Sequence, residues 1–202
     1  WALQGIAPRL TLRPGDSSGK MKDSAIDTIQ WLRKVGVDLP PGLDEADCER
    51  LAERPDESAY TEMDSVRRLV VHHSATSSGS AKLIRVLHRG VFGWDDIGYH
   101  YVIGNGTMTA EGLVEEGRPE WAVGAHSRGN NVDSLGICMV GDFGKTAPRT
   151  RQMEALAELL SDMLGRYDLG REAIRLHRQM PGNSTSCPGE KLPLEAVLKA
   201  LR

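Results

Sequence analysis

The sequence predicts an α/β fold, a central mixed β-sheet flanked by helices, with a small helical region at the N-terminus. Two observations predict it. Short β-branched or apolar runs ("RRLVVHHSA", "GYHYVIG", "SLGICMVGD", "AIRLHRQ") alternate with amphipathic stretches at helical spacing, so strands are interleaved with covering helices. A change of texture near residue 60 separates this part from a turn-rich N-terminal stretch. The reading is therefore residues 1–60 as a small helical region and 61–202 as the main domain.

In the first part, turn clusters at Pro14-Gly15-Asp16 and Pro40-Pro41-Gly42 bracket a segment in which Ala25, Ile26, Ile29, Leu32 and Val35 recur at near-helical spacing. That spacing predicts a helix over 22–35, and a shorter one follows the second turn over 44–53. Two short helices bury little apolar area, so the region has to be small, docked on a neighbour, or part of something longer. In the second part "RRLVVHHSA" is a buried strand, and residues 79–89 suit a helix capped by Ser80, with Leu83, Ile84 and Leu87 on one face. Pro148 and Thr150 open the longest helix, where Met153, Leu156, Leu159, Leu160 and Met163 form an apolar stripe. "AIRLHRQ" is a short strand, and "PLEAVLKAL" closes the chain as a helix.

The 202 residues suffice for one good core plus a small module. Hydrophobic content of 40% and charged content of 26% are those of an ordinary globular chain. A formal charge of −3 argues against binding nucleic acid through overall charge. No apolar run approaches the roughly 20 residues of a membrane span. The chain opens on Trp1 without an initiator Met or a basic-then-apolar leader, which reads as a processed or trimmed piece with any export signal out of view. Cys48, Cys138 and Cys187 cannot all pair and form no disulfide framework, so each is core filler, surface residue or ligand.

Histidine and cysteine gather where strands end. His72 and His73 finish the first strand, His177 follows "AIRL", and Cys187 lies in "NSTSCPGE". Zinc takes imidazole nitrogen and thiolate sulfur, and catalytic zinc sites use three protein ligands with a fourth position left for water. Such an ion makes water a nucleophile at neutral pH. Taken singly each residue is as well explained by packing, and the residues alone reach only a metal hydrolase among several readings. A zinc ribbon and a zinc deaminase are disfavoured because no CxxC is present.

Five blocks, "VVHHSAT", "WDDIGYHYVIGNGT", "EGRPEWAVGAH", "NNVDSLGICMVGDF" and "LHRQMPGNSTSCPGE", in this order, resemble the zinc-dependent N-acetylmuramoyl-L-alanine amidases, the family shared by phage lysozyme-type amidases and peptidoglycan recognition proteins. The resemblance spans about residues 66–190. It implies one Zn²⁺ per chain, held by His72, His177 and Cys187. It also implies hydrolysis of the amide between N-acetylmuramic acid and L-alanine at the bacterial cell wall, with peptidoglycan as partner. Strand alternation places His72 and His73 on opposite faces, and His73 is left to packing or to a supporting role. Tyr99 matches the family's catalytic tyrosine, a donor to the oxyanion. Thr185 falls where phage enzymes carry Lys and catalytic recognition proteins carry Thr. His126 and Arg118 are read as substrate-cleft residues, and His88 and His100 as structural. Cytoplasmic relatives carry a Glu base at the position of Cys138, which is read here as facing the core. The "LRPGDSSG" and "IDTIQWLRKVGVDLP" segments resemble small peptidoglycan-binding modules, with an incomplete repeat. A non-catalytic peptidoglycan-binding module is the alternative function. A monomer is favoured, although nothing in the sequence sets an oligomeric state.

Overall fold

The computed structural model describes residues 44–201; the helix expected over 22–35 and both N-terminal turn clusters lie outside the described residues. Five strands form one sheet in the order β3-β2-β4-β1-β5: β1 Arg68–His73, β2 Tyr101–Ile103, β3 Val114–Glu116, β4 Ser134–Met139 and β5 Ile174–Leu176. β1 runs parallel to both β4 and β5, β2 runs parallel to β4, and only β3 is antiparallel. The sheet is mixed, as the strand-and-helix alternation predicts.

Side chains alternate across it. Leu69 and Val71 of β1, with Leu135, Ile137 and Met139 of β4, enter the main core, beneath α3 (Thr150–Arg166) and α4 (Leu194–Ala200). Of the stripe read in α3, Leu156, Leu160 and Met163 are fully buried, each stabilising by about 1.5–3 kcal/mol at most. Met153 and Leu159 pack at its edge. The other face carries Val102, Cys138 and Val140 against Ala81 and Ile84 of α2 (Ala81–Gly90). Ser80 caps α2, its Oγ accepting from the Leu83 N–H at 3.1 Å.

α1 (Glu45–Ala52) lies on the N-terminal side of the composition break. Its Cys48, Leu51 and Ala52 pack on Leu83 and Val86 of α2. Arg89 donates to the carbonyls of Arg50, Leu51 and Glu53, and Arg85 donates to that of Ala52. These bonds occupy carbonyls that the end of a helix leaves without partners. The Glu62↔Ala122 bridge, with bonds from Met63 N–H to Trp121 O and from Val123 N–H to Thr61 O, stitches the following segment on.

Two differences from the sequence reading have local causes. "GYHYVIG" yields only Tyr101–Ile103 as strand. The backbone around Gly98 and Tyr99 bonds instead to the 117–125 segment, with Ala125 N–H donating to Gly98 O and Arg118 N–H to Tyr99 O. A Cβ on Gly98 would lie 2.4 Å from the Ala125 carbonyl oxygen, so only glycine permits that approach. β3 went unread because it is three residues of half-exposed, acidic edge strand with no alternation to detect.

Candidate metal centre

β1 and β5 are adjacent and parallel, with Val71 opposite Leu176, so the residues that follow emerge side by side. His72 occupies the next position of β1, and His177 opens a tight turn, His177–Gln179. The chain then returns. Arg178 N–H donates to Cys187 O at 2.8 Å, and the Cys187 sulfur accepts from the His73 N–H at 3.4 Å. One nitrogen each of His72 and His177 and the Cys187 Sγ consequently lie within 4.8 Å of one another, all three residues buried.

Burial first, then the neighbouring His126 and His177, pushes the His72 imidazole well below its ordinary value. Burial lowers His177 to about 4 against the raising effect of its Asn183 hydrogen bond, so both rings are neutral near pH 7 and could offer a nitrogen lone pair to a metal. The Cys187 thiol is pushed up by burial to about 12, despite the His73 N–H. A buried thiolate here therefore needs a cation, and two imidazole nitrogens with one sulfur suit Zn²⁺. The donor set fits that ion.

His73 faces the other way, as strand alternation requires. Its Nδ1 accepts from the Phe143 N–H at 3.1 Å, its ring lies against Phe143 in the main core, and its Nε2 has no hydrogen-bond partner. Tyr99 is buried with its ring centroid 5.1 Å from that of His72. Burial raises its phenol, with Cys138 and Cys187 adding to the effect, so it carries its proton at neutral pH. Cys138 lies opposite His72 in the ladder and packs with Tyr99 under α2; burial raises its thiol too. Thr185 is half-buried, and its Oγ1 accepts from the Cys187 N–H at 3.1 Å.

His126 and Arg118, read from the sequence as cleft residues, are only 6% and 7% exposed. Arg118 donates to the carbonyls of Ile97 and Val123 and stacks over Tyr60. His126 lies behind His72, Nδ1 to Nε2 at 3.1 Å. His88 and His100 serve the fold: His88 Nδ1 accepts from Gly98 N–H, and His100 bridges Gly136 N–H and Ala122 O. Sequence reasoning missed Asn183, which contacts His177 at 3.2 Å; its closeness to Cys187 in the chain was the only signal.

A buried His-His-Cys trio at the strand ends of a mixed, helix-covered sheet defines a candidate mononuclear metal centre of the zinc-hydrolase class. Residues 62–190 match the family described as N-acetylmuramoyl-L-alanine amidase, and the chain belongs to that family. It is 34% identical over 137 residues to the endolysin of Escherichia phage T7, an alignment covering 64% of this chain and 84% of the endolysin. It is 34% identical over 132 residues to peptidoglycan-recognition protein SC2 of Drosophila melanogaster, covering 61% and 68%. Among solved structures it resembles the amidase LysC of Clostridium intestinale, with TM-score 0.60 and 28% identity over 68% of this chain and 87% of that one.

Proposed function

We propose that this chain is a zinc-dependent N-acetylmuramoyl-L-alanine amidase that separates the stem peptide from the glycan of bacterial peptidoglycan. The buried trio of His72, His177 and Cys187 carries the reading, supported by family membership and by the similarity to phage endolysins. One zinc ion per chain, when bound, supplies Lewis-acid polarisation of the lactyl carbonyl and activates the attacking water. The chain's own residues do the rest. Tyr99, protonated in its buried position, donates a hydrogen bond to the carbonyl oxygen as negative charge develops there. Thr185, two residues before the ligand sulfur, offers a hydroxyl to the same oxygen without the charge a lysine would bring. Cys138 holds its proton and so is not the general base.

The site of action is the bacterial cell wall, outside the cytoplasm. Among the described residues no helix is long and apolar enough to cross a membrane. Residues 61–202 carry the chemistry, α1 packs as part of the same unit, and the residues before Asp44 add affinity for insoluble wall. The similarity to recognition proteins favours one rival, a binding module without catalysis. Metal analysis together with mass spectrometry of digested sacculi separates the two. The amidase leaves free stem peptides and glycan with intact N-acetylmuramic acid, at one zinc per chain, and Cys187→Ala abolishes both metal and products. Wall binding with no released peptide, or undiminished zinc and activity in Cys187→Ala, refutes the assignment.

A further inference from the structure

We infer that the loop over residues 126–131 decides which nitrogen each histidine ligand presents to the metal, making His126, through His72, and Asn183, through His177, positioning residues of the site. The inference rests on the zinc reading above and deepens it.

What each atom can do in a hydrogen bond fixes where the ring protons sit. A backbone carbonyl only accepts, so His126 Nε2, 3.2 Å from Ser134 O, carries the ring's proton. A neutral imidazole has one such proton, which leaves His126 Nδ1 as an acceptor. That Nδ1 is 3.1 Å from His72 Nε2, so His72 donates from Nε2 and keeps its lone pair on Nδ1. His72 Nδ1 is the atom facing Cys187 Sγ, at 3.9 Å. The same logic applies on the other side. Asn183 Nδ2 lies 3.0 Å from Pro181 O and 3.3 Å from Arg128 O, both acceptors, which orients the amide and turns its Oδ1 to His177 Nε2 at 3.2 Å. His177 likewise carries its proton on Nε2 and offers Nδ1.

Both chains of bonds return to one loop, held by Asn131, whose Oδ1 accepts from the N–H groups of His126 and Ser127 at 3.0 and 2.8 Å. The His126 ring also occupies a slot that glycines create. A Cβ at Gly136 of β4 would lie 2.4 Å from His126 Cγ, and one at Gly124 would lie 2.6 Å from its Cδ2. Without these partners each ligand ring would distribute between two tautomers, one of which turns an N–H towards the metal. Outer partners of this kind are worth about 10–100-fold in metal affinity.

Nitrogen-15 NMR of the metal-free protein tests the assignment directly: His72 and His177 should both show the Nε2–H tautomer, and Nδ1–H on either overturns it. Zinc affinity by chelator competition, beside circular dichroism to establish folding, tests the consequence. His126→Leu and Asn183→Leu should each weaken zinc about 10–100-fold. His126→Asn, whose side-chain oxygen can replace Nδ1 as acceptor, should recover most of the loss, which a merely space-filling role would not allow. Gly136→Ala, which keeps the His126 residue but displaces its ring, should weaken zinc as well. Folded His126→Leu and Asn183→Leu proteins that hold zinc as tightly as the wild type overturn the inference. Loss of the zinc reading looks different: the wild type itself binds no zinc, or Cys187→Ala binds it normally.

Discussion

At the scale of the residue, two adjacent histidines are separated by the two-residue period of a strand. His72 faces Cys187 and His177, while His73 joins Leu69 and Val71 on the core face. His73→Ala should therefore keep one zinc per chain. Losing the acceptor for the Phe143 N–H should lower stability by about 1–3 kcal/mol, read as a drop in Tm at unchanged metal content. Tyr99 calls for a different measurement. A phenol that donates only as charge develops on the substrate oxygen contributes to kcat rather than to binding. Tyr99→Phe should cost roughly 10²–10³ in kcat with KM nearly unchanged. A loss confined to KM would mark Tyr99 as a binding residue instead.

At the scale of the element, polar ties hold the helices to the rest of the fold. Arg85 of α2 pairs with the fully buried Asp96 at 2.6 Å and also reaches Ala52 O and Gly117 O, while Tyr60 donates to the other Asp96 oxygen. Arg85→Met leaves a buried carboxylate without its cation, and chemical denaturation should show a loss of about 3–5 kcal/mol. A second tie joins α3 to the segment after β3. Glu120 accepts from Tyr101, Arg166 and Tyr167. Burial raises its carboxyl, but these bonds outweigh that and hold it at about 2. A lowered folded-state value means stability that is present above the ordinary carboxylate range and disappears as pH falls towards 2. Glu120→Gln should cost about 1 kcal/mol at pH 7, after allowance for solvent screening of a half-exposed cluster. The gap between variant and wild type should close between about pH 5 and pH 2; a gap independent of pH would show that the carboxylate's charge is not what stabilises. Helices were legible at this scale because their apolar stripes and caps are local. The shortening of β2 was not, since it follows from where the 117–125 segment lies, and β3 is too short and too exposed to show an alternation.

At the scale of the molecule, the composition break near residue 60 does not coincide with a gap in packing. α1 is docked on α2 through Cys48, Leu51 and Ala52, and Arg85 and Arg89 bind the carbonyls at its end. A chain starting at Asp44 should fold and hydrolyse soluble muropeptides at the rate of the full protein. Its rate on intact sacculi should be lower if residues 1–43 bind wall, because only an insoluble substrate gains from local attachment. A chain starting at Glu62 loses α1 as well and uncovers Leu83 and Val86, so its Tm should fall and both activities should decline together. Equal rates of the full and Asp44-start proteins on sacculi would remove the wall-binding role.

Local patterning was enough for a mixed α/β sheet and its main helices, because those signals lie within a few neighbours along the chain. His72, His177 and Cys187 could be nominated from ligand chemistry and family resemblance. Their convergence within 4.8 Å depends on β5 lying parallel beside β1, a pairing made across a hundred residues of sequence. His126 shows the same division. Its motif marked it as functional, yet its placement behind His72 comes from a slot opened by Gly136 on β4 and by Gly124, two residues before it. Period and propensity act over a turn or a strand and can be read in order. Proton positions on the rings of His72, His126 and His177 depend on which acceptor ends up within 3.2 Å, and only the packed chain decides that.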